Sequence, residues 1–162
     1  MLEQTTLCHL IKPADLNHHG TLFAGTMAAW LIEACFVSVV RLLGRPEDIV
    51  CTRVHDMEFR EPLRPGDVID ICARVAHLGG RSITVHASAR KGPTGKEAVT
   101  ILTTFVTLDA SGKPRAHGMS LPADYIAANG HIHELARRAV AGSADAATPS
   151  QDDRPTTPPG SA

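Results

Sequence analysis

The stretch Phe23–Val40 constrains this chain more than any other. It contains no proline and is apolar almost throughout, with Phe23, Met27, Trp30, Leu31, Cys35, Val37 and Val39 spread over nearly every face of a helix. A helix that is apolar all round is buried rather than laid on a surface. Its one ionisable side chain is Glu33. A lone carboxylate on such a helix is costly without a partner or a task, and positioned carboxyls serve as general bases and acids. The bland alternative is a structural ion pair with an arginine. Ahead of the helix, Asn17-His18-His19-Gly20 reads as a turn. The first helical turn, near Ala24, Gly25 and Thr26, offers free N–H groups at the positive end of the helix dipole. Small residues there let a ligand oxygen approach the backbone. The segment is long enough to span a membrane, but a central glutamate, an internal glycine and a strand-rich remainder favour a core helix, and no membrane partner is expected.

The 162 residues fit one domain. A net charge of −1 gives no electrostatic case for nucleic acid. The N-terminus lacks a basic region followed by an apolar core, so a cytoplasmic location is expected. Cys8, Cys35, Cys51 and Cys72 are widely spaced in apolar surroundings and read as buried thiols in a reducing compartment. His131 and His133 have no acidic or cysteine companions at metal spacing, so neither a metal nor a cofactor is expected.

In chain order, Leu2 to Ile11 reads as a strand. The long helix follows and stops near Leu43, where Gly44 suits a cap and Pro46 cannot continue it. Further strands are expected at Ile49 to Phe59, Val68 to Leu78, Ser82 to Arg90 and Ala98 to Asp109, joined by short Gly- and Pro-bearing turns. Tyr125 to Ala141 reads as a short helix. The expected division is a main domain over 1–121, a helical extension over 122–141 and a disordered tail over 142–162, where Ala, Ser, Thr, Pro and Asp predominate. Short connections make the sheet antiparallel after the helix, so the class is α+β. One helix cannot bury its whole circumference against one sheet. A second copy is expected to cover the rest, as a homodimer or a higher assembly.

Several motifs fall in a telling order. Asn17-His-His-Gly20-Thr-Leu-Phe-Ala-Gly25 leads into Trp30-Leu-Ile-Glu33-Ala; Arg53-Val54 through Phe59, then Pro62 and Gly66-Asp67, precede Gly79-Gly80-Arg81-Ser82. This pattern, over about residues 5 to 115, resembles the hotdog-fold acyl-CoA thioesterases. The resemblance implies a long central helix wrapped by an antiparallel sheet, obligate dimers, and sites at the dimer interface that hydrolyse acyl-CoA thioesters. It implies an oxyanion held by the N–H groups of Ala24 and Gly25. Asn17 would orient water or the carbonyl, and Glu33 would act as general base or attack to form an anhydride. Gly79, Gly80, Arg81 and Ser82 match the coenzyme A loop, with Arg90 and Lys91 as further cations and Met27, Trp30 and Phe36 as acyl-pocket residues. One departure stands out: many relatives carry their helix acid, usually aspartate, where this chain has Ile32, one residue or about 100° before Glu33.

Two other readings compete. A hydroxyacyl thioester dehydratase of the same fold would pair His19 with Glu33, although the proline-rich segment that follows the histidine in those enzymes is replaced here by Gly20-Thr-Leu-Phe-Ala-Gly25. A module that binds acyl-CoA without turnover is the second.

Overall fold

The computed structural model describes residues 2–92 and 95–145. Among them, β1 (Thr5–Leu10), β2 (Ile49–Phe59), β3 (Val68–Leu78), β4 (Ser82–Lys91) and β5 (Glu97–Thr107) form one antiparallel sheet in the order β1-β3-β4-β5-β2. The long helix α1 (Ala24–Leu43) lies across one face. Its end is set as the sequence implies: Gly44 adopts φ 75° and its N–H reaches Val40 O at 2.7 Å.

The sheet buries alternate residues against α1. Ile69, Ile71, Ala73 and Val75 of β3, Ile83, Val85, Ala87 and Ala89 of β4, and Val99, Ile101 and Phe105 of β5 form the core. Large and small side chains meet across strands, Ile71 beside Ala89 and Ala87 beside Ile101. The alanines leave room for the helix.

One stripe of α1 is buried: Met27, Leu31, Ala34, Cys35, Ser38 and Val39, spaced to fall on a single face. Although the helix is apolar enough to cross a membrane by length and composition, it is here the core helix of a sheet. The expectation of burial all round is corrected within one protomer. Ala29 and Glu33 lie on the opposite side and are exposed, because one sheet covers only one stripe of a cylinder.

The other face of the sheet carries α2 (Ala123–Ala128) and α3 (Gly130–Asp145). The single helix expected over Tyr125–Ala141 is thus two. Asn129 breaks it, its side-chain amide donating to Tyr125 O at 2.9 Å in place of a continued helical ladder. Ala136 is fully buried on Ala76 and Leu102, with Ile132 and Ala139 around it. The Tyr125 hydroxyl donates to Val75 O at 2.9 Å, and His133 Nδ1 donates to Ala76 O at 2.8 Å. Helix α3 continues to Asp145, so 142–145 are helical and not part of a disordered tail. The remainder of that expected tail, 146–162, lies outside the described residues.

Strand β2 is an edge strand, exposed over most of its length, with Val50, Val54 and Phe59 among the exposed large apolar residues. The cysteines also depart from expectation. Cys35 alone is buried, and desolvation pushes its thiol up to about 12. Cys8 and Cys51 are exposed because they sit on the two edge strands, β1 and β2.

Candidate active site

The loop before α1 folds back on itself. Asn17 N–H donates to Thr21 O at 2.8 Å, and Gly20 takes φ 74° to close the turn. The Asn17 side chain caps that turn: Oδ1 accepts from His19 N–H at 2.9 Å, and Nδ2 donates to Thr21 Oγ1 at 3.0 Å. The loop is then tied to the rest of the protein by Leu22 N–H on Leu63 O and Phe23 N–H on Asp15 O, each 2.8 Å.

Phe23 provides no side-chain cap to α1. Met27 N–H bonds Phe23 O at 3.1 Å, but among the described residues the Ala24 and Gly25 N–H groups have no acceptor. Gly25 keeps this turn bare, since a Cβ there would come within 2.5 Å of the Phe23 ring. Ala24, followed in the chain by Gly25, lines a groove of about 330 Å³. Its polar rim is Asn17, Thr21, Arg60 and Glu61, and its apolar floor is Leu22, Met27, Leu63 and Val99, all four buried. Asn17 and Ala24 therefore line the same groove, whereas Gly25 is not among its lining residues. Thr21, Leu63 and Val99 were not singled out in the sequence. No local pattern marks them, because Val99 reaches the groove from β5 through its pairing with Phe59.

Glu33 is not in this groove. It lies eight residues beyond Gly25, about 12 Å along the helix axis, and points out of the protomer. Ile32 packs part-buried against the core, so residue 33 rather than 32 carries the outward-facing acid. Nor does the Gly79–Ser82 hairpin meet Asn17 within one chain. The Asn17 loop and the Leu63–Asp67 turn lie at the start of β3, the hairpin at its end, about 35 Å away along eleven residues. The hairpin is closed by Gly79 N–H on Ser82 O at 2.9 Å, and a Cβ on Gly79 would fall 2.5 Å from Ser82 Oγ. Thr107 holds Arg81 O, and the exposed Arg81 guanidinium has no partner among the described residues.

Other candidates are accounted for structurally. Arg90 pairs with Glu97 at 2.9 Å and Lys91 with Asp67 at 3.0 Å. Trp30 stacks on His9 with centroids 4.3 Å apart, and Phe36 packs on Phe105, so of the three expected acyl-pocket residues only Met27 lines the groove. His19 is exposed beside His18 and outside the groove. His55 turns away from α1 to Thr104 Oγ1 at 2.6 Å, and burial followed by nearby Arg53 lowers its pKa.

The family model of the thioesterase superfamily matches residues 19–98, a span that includes α1, the Leu63–Asp67 turn and the Gly79–Ser82 hairpin. Over that span, just under half of its length, the chain is similar to the thioesterase superfamily. An uncharacterized acyl-CoA thioester hydrolase of Bacillus subtilis is 30% identical over 108 residues, 64% of this chain and 62% of that protein. The chain thus spans less than two thirds of that curated relative's length. The acyl-CoA hydrolase of Staphylococcus aureus, solved in complex with butyryl coenzyme A, coenzyme A and coenzyme A disulfide, superposes with a TM-score of 0.78 at 25% identity, covering 88% of this chain and 85% of that one. A hexameric thioesterase from Yersinia pestis gives a TM-score of 0.63 at 29% identity, covering 73% and 97%. The hotdog fold expected for a thioesterase-superfamily chain is borne out by the five-stranded antiparallel sheet with its long helix and by these structures.

Proposed function

We propose that this chain is a member of the thioesterase superfamily and hydrolyses acyl-CoA thioesters, at a site completed by two copies of the chain. The observation that carries the reading is the uncapped first turn of α1. Ala24 of that turn lines an apolar-floored groove beside Asn17, with the Gly25 N–H next to it in sequence, in a chain 25% identical to a hydrolase solved with butyryl coenzyme A.

The thioester oxygen lies against the Ala24 and Gly25 N–H groups, which stabilise the negative charge that builds on it. Water attacks the carbonyl carbon. A carboxylate takes the water's proton and returns it to the departing sulfur, so the C–S bond breaks to give free acid and coenzyme A thiol. We assign that role to Glu33 of a second copy. Within one chain it stands about 12 Å away, whereas an isologous two-fold sets the far part of one helix against the near part of its neighbour. The same symmetry would bring the second copy's Gly79, Gly80, Arg81 and Ser82 toward the groove, Arg81 with its free cation facing the coenzyme A phosphates. Asn17 holds the loop and presents its amide to water or carbonyl. The outward faces of α1 and β2 are the surfaces that association would cover, and the assembly is a dimer or a multiple of it, as in the hexameric relative. We divide the chain into a catalytic domain over 1–121, a helical extension from 122, and a tail beyond it. Free cysteines, two of them exposed, fit a cytoplasmic setting.

The dehydratase alternative has less support, since His19 lies outside the groove. Thiol release separates all three readings. A hydrolase frees coenzyme A thiol from acyl-CoA, a dehydratase changes the acyl group without freeing thiol, and a binding module does neither.

A further inference from the structure

The groove is polar at its mouth and closed at its base, and that shape bears on what it holds. Asn17, Arg60 and Glu61 stand at the rim, while the base is Met27 and Val99, each 1% exposed, with Leu63 at 3%. No charged side chain lines the base. Arg60, the cation nearest it, is engaged at the rim by Glu58 at 2.7 Å and Glu97 at 3.3 Å. Ala24 and Met27 lie three residues apart on one helix face, so a carbonyl held at the Ala24 N–H directs its substituent toward Met27.

We infer that the base of the groove takes the acyl chain, that the preferred acyl groups are straight, uncharged and up to about nine carbons long, the carbonyl carbon included, and that Met27 sets this limit. This rests on the reading of the protein as an acyl-CoA hydrolase. The size follows from the volume. At about 30 Å³ for each heavy atom, the share of liquid volume taken by a water molecule, the groove's 330 Å³ holds about eleven atoms. Three of these are the thioester carbon, oxygen and sulfur, which leaves about eight for the chain. A carboxylate or ammonium at the chain end would be desolvated at the base with no partner. Met27 is the long, unbranched side chain among those closing the base, and its truncation opens the groove toward the core.

The test is a kcat/KM series over straight acyl-CoAs from two to sixteen carbons, for wild type, Met27→Ala and Met27→Phe, read as thiol release. The decisive quantity is the ratio of dodecanoyl to hexanoyl kcat/KM within one preparation, which does not depend on the folded fraction. One methylene in an apolar pocket is worth about 10–200-fold. Wild type is therefore expected to fall at least tenfold between the two lengths, Met27→Ala to raise the ratio tenfold or more, and Met27→Phe to move the cut-off to a shorter chain. Met27→Leu, of similar volume, should keep the wild-type profile. Hydrolysis with the same ratio in all variants would overturn the inference and leave the hydrolase reading standing. A uniform rise in KM across all lengths in Met27→Ala would also overturn it, since the groove would then hold the thiol arm. Absence of thiol release at every length would overturn the hydrolase reading itself.

Discussion

Glu33 is the residue on which the proposed chemistry turns. It is the one carboxylate of α1, it faces out of the protomer, and Ile32 beside it is committed to the core. Glu33→Gln keeps the shape and removes the base, so turnover should fall by about 10²-fold or more. Thermal unfolding should show stability held or raised, since a neutral amide replaces a charge that association would desolvate. Retained activity per folded molecule with lost stability would instead support the structural ion pair. Asp67 makes a different prediction. Its carboxylate accepts from Arg64 N–H at 2.8 Å and pairs with Lys91 at 3.0 Å, and these hold its pKa below the ordinary 3.8. The folded state thus favours the charged form. The contribution is complete above pH 3.8 and is lost as pH falls through the lowered value. Asp67→Asn should therefore lose stability near neutrality and show a flatter acid limb than wild type in melting curves taken across pH. Because Asp67 closes the turn that carries Leu63, the same change should weaken the groove floor.

At the scale of elements, helix α3 depends on very little. Ala136 is its fully buried anchor on Ala76 and Leu102. Ala136→Arg should cost about 1–3 kcal/mol by overfilling that contact, visible as a lower Tm. Thiol release per folded molecule should change little, since the groove lies on the other face of the sheet. The elements themselves were largely legible in the sequence. Strands at Ile49–Phe59 and Val68–Leu78 and the helix end at Gly44 follow from β-branched runs, paired glycines and proline stops. The break at Asn129 was not, because an asparagine competes for a backbone carbonyl only once the chain is folded around it. Of the groove, Asn17 and Ala24 were legible from local turn and helix-start chemistry. Leu63 and Val99 were not, since Val99 is placed by the β2–β5 register and Leu63 by its carbonyl on Leu22 N–H, rather than by any pattern near them. The half-tied state of Asn17, whose amide caps its own loop, was likewise visible only in the folded chain.

At the scale of the whole molecule, a single protomer is incomplete in two ways. The outward side of α1 and the edge strand β2 leave apolar side chains uncovered, including Val50, Val54 and Phe59. The groove, the acid and the Gly79–Ser82 hairpin lie too far apart to act on one thioester. Light scattering at micromolar concentration should therefore return a dimer or larger assembly, and a natively folded monomer would speak against the account. The most direct test mixes two defective chains, Asn17→Ala and Glu33→Gln, by co-expression or exchange of subunits. If each site takes Asn17 from one copy and Glu33 from the other, a mixed pair holds one site with both residues intact. Random pairing at equal amounts should then restore about a quarter of wild-type thiol release. A mixture no more active than the sum of its two parts, with mixed assemblies shown to form by mass, would contradict a site shared between copies.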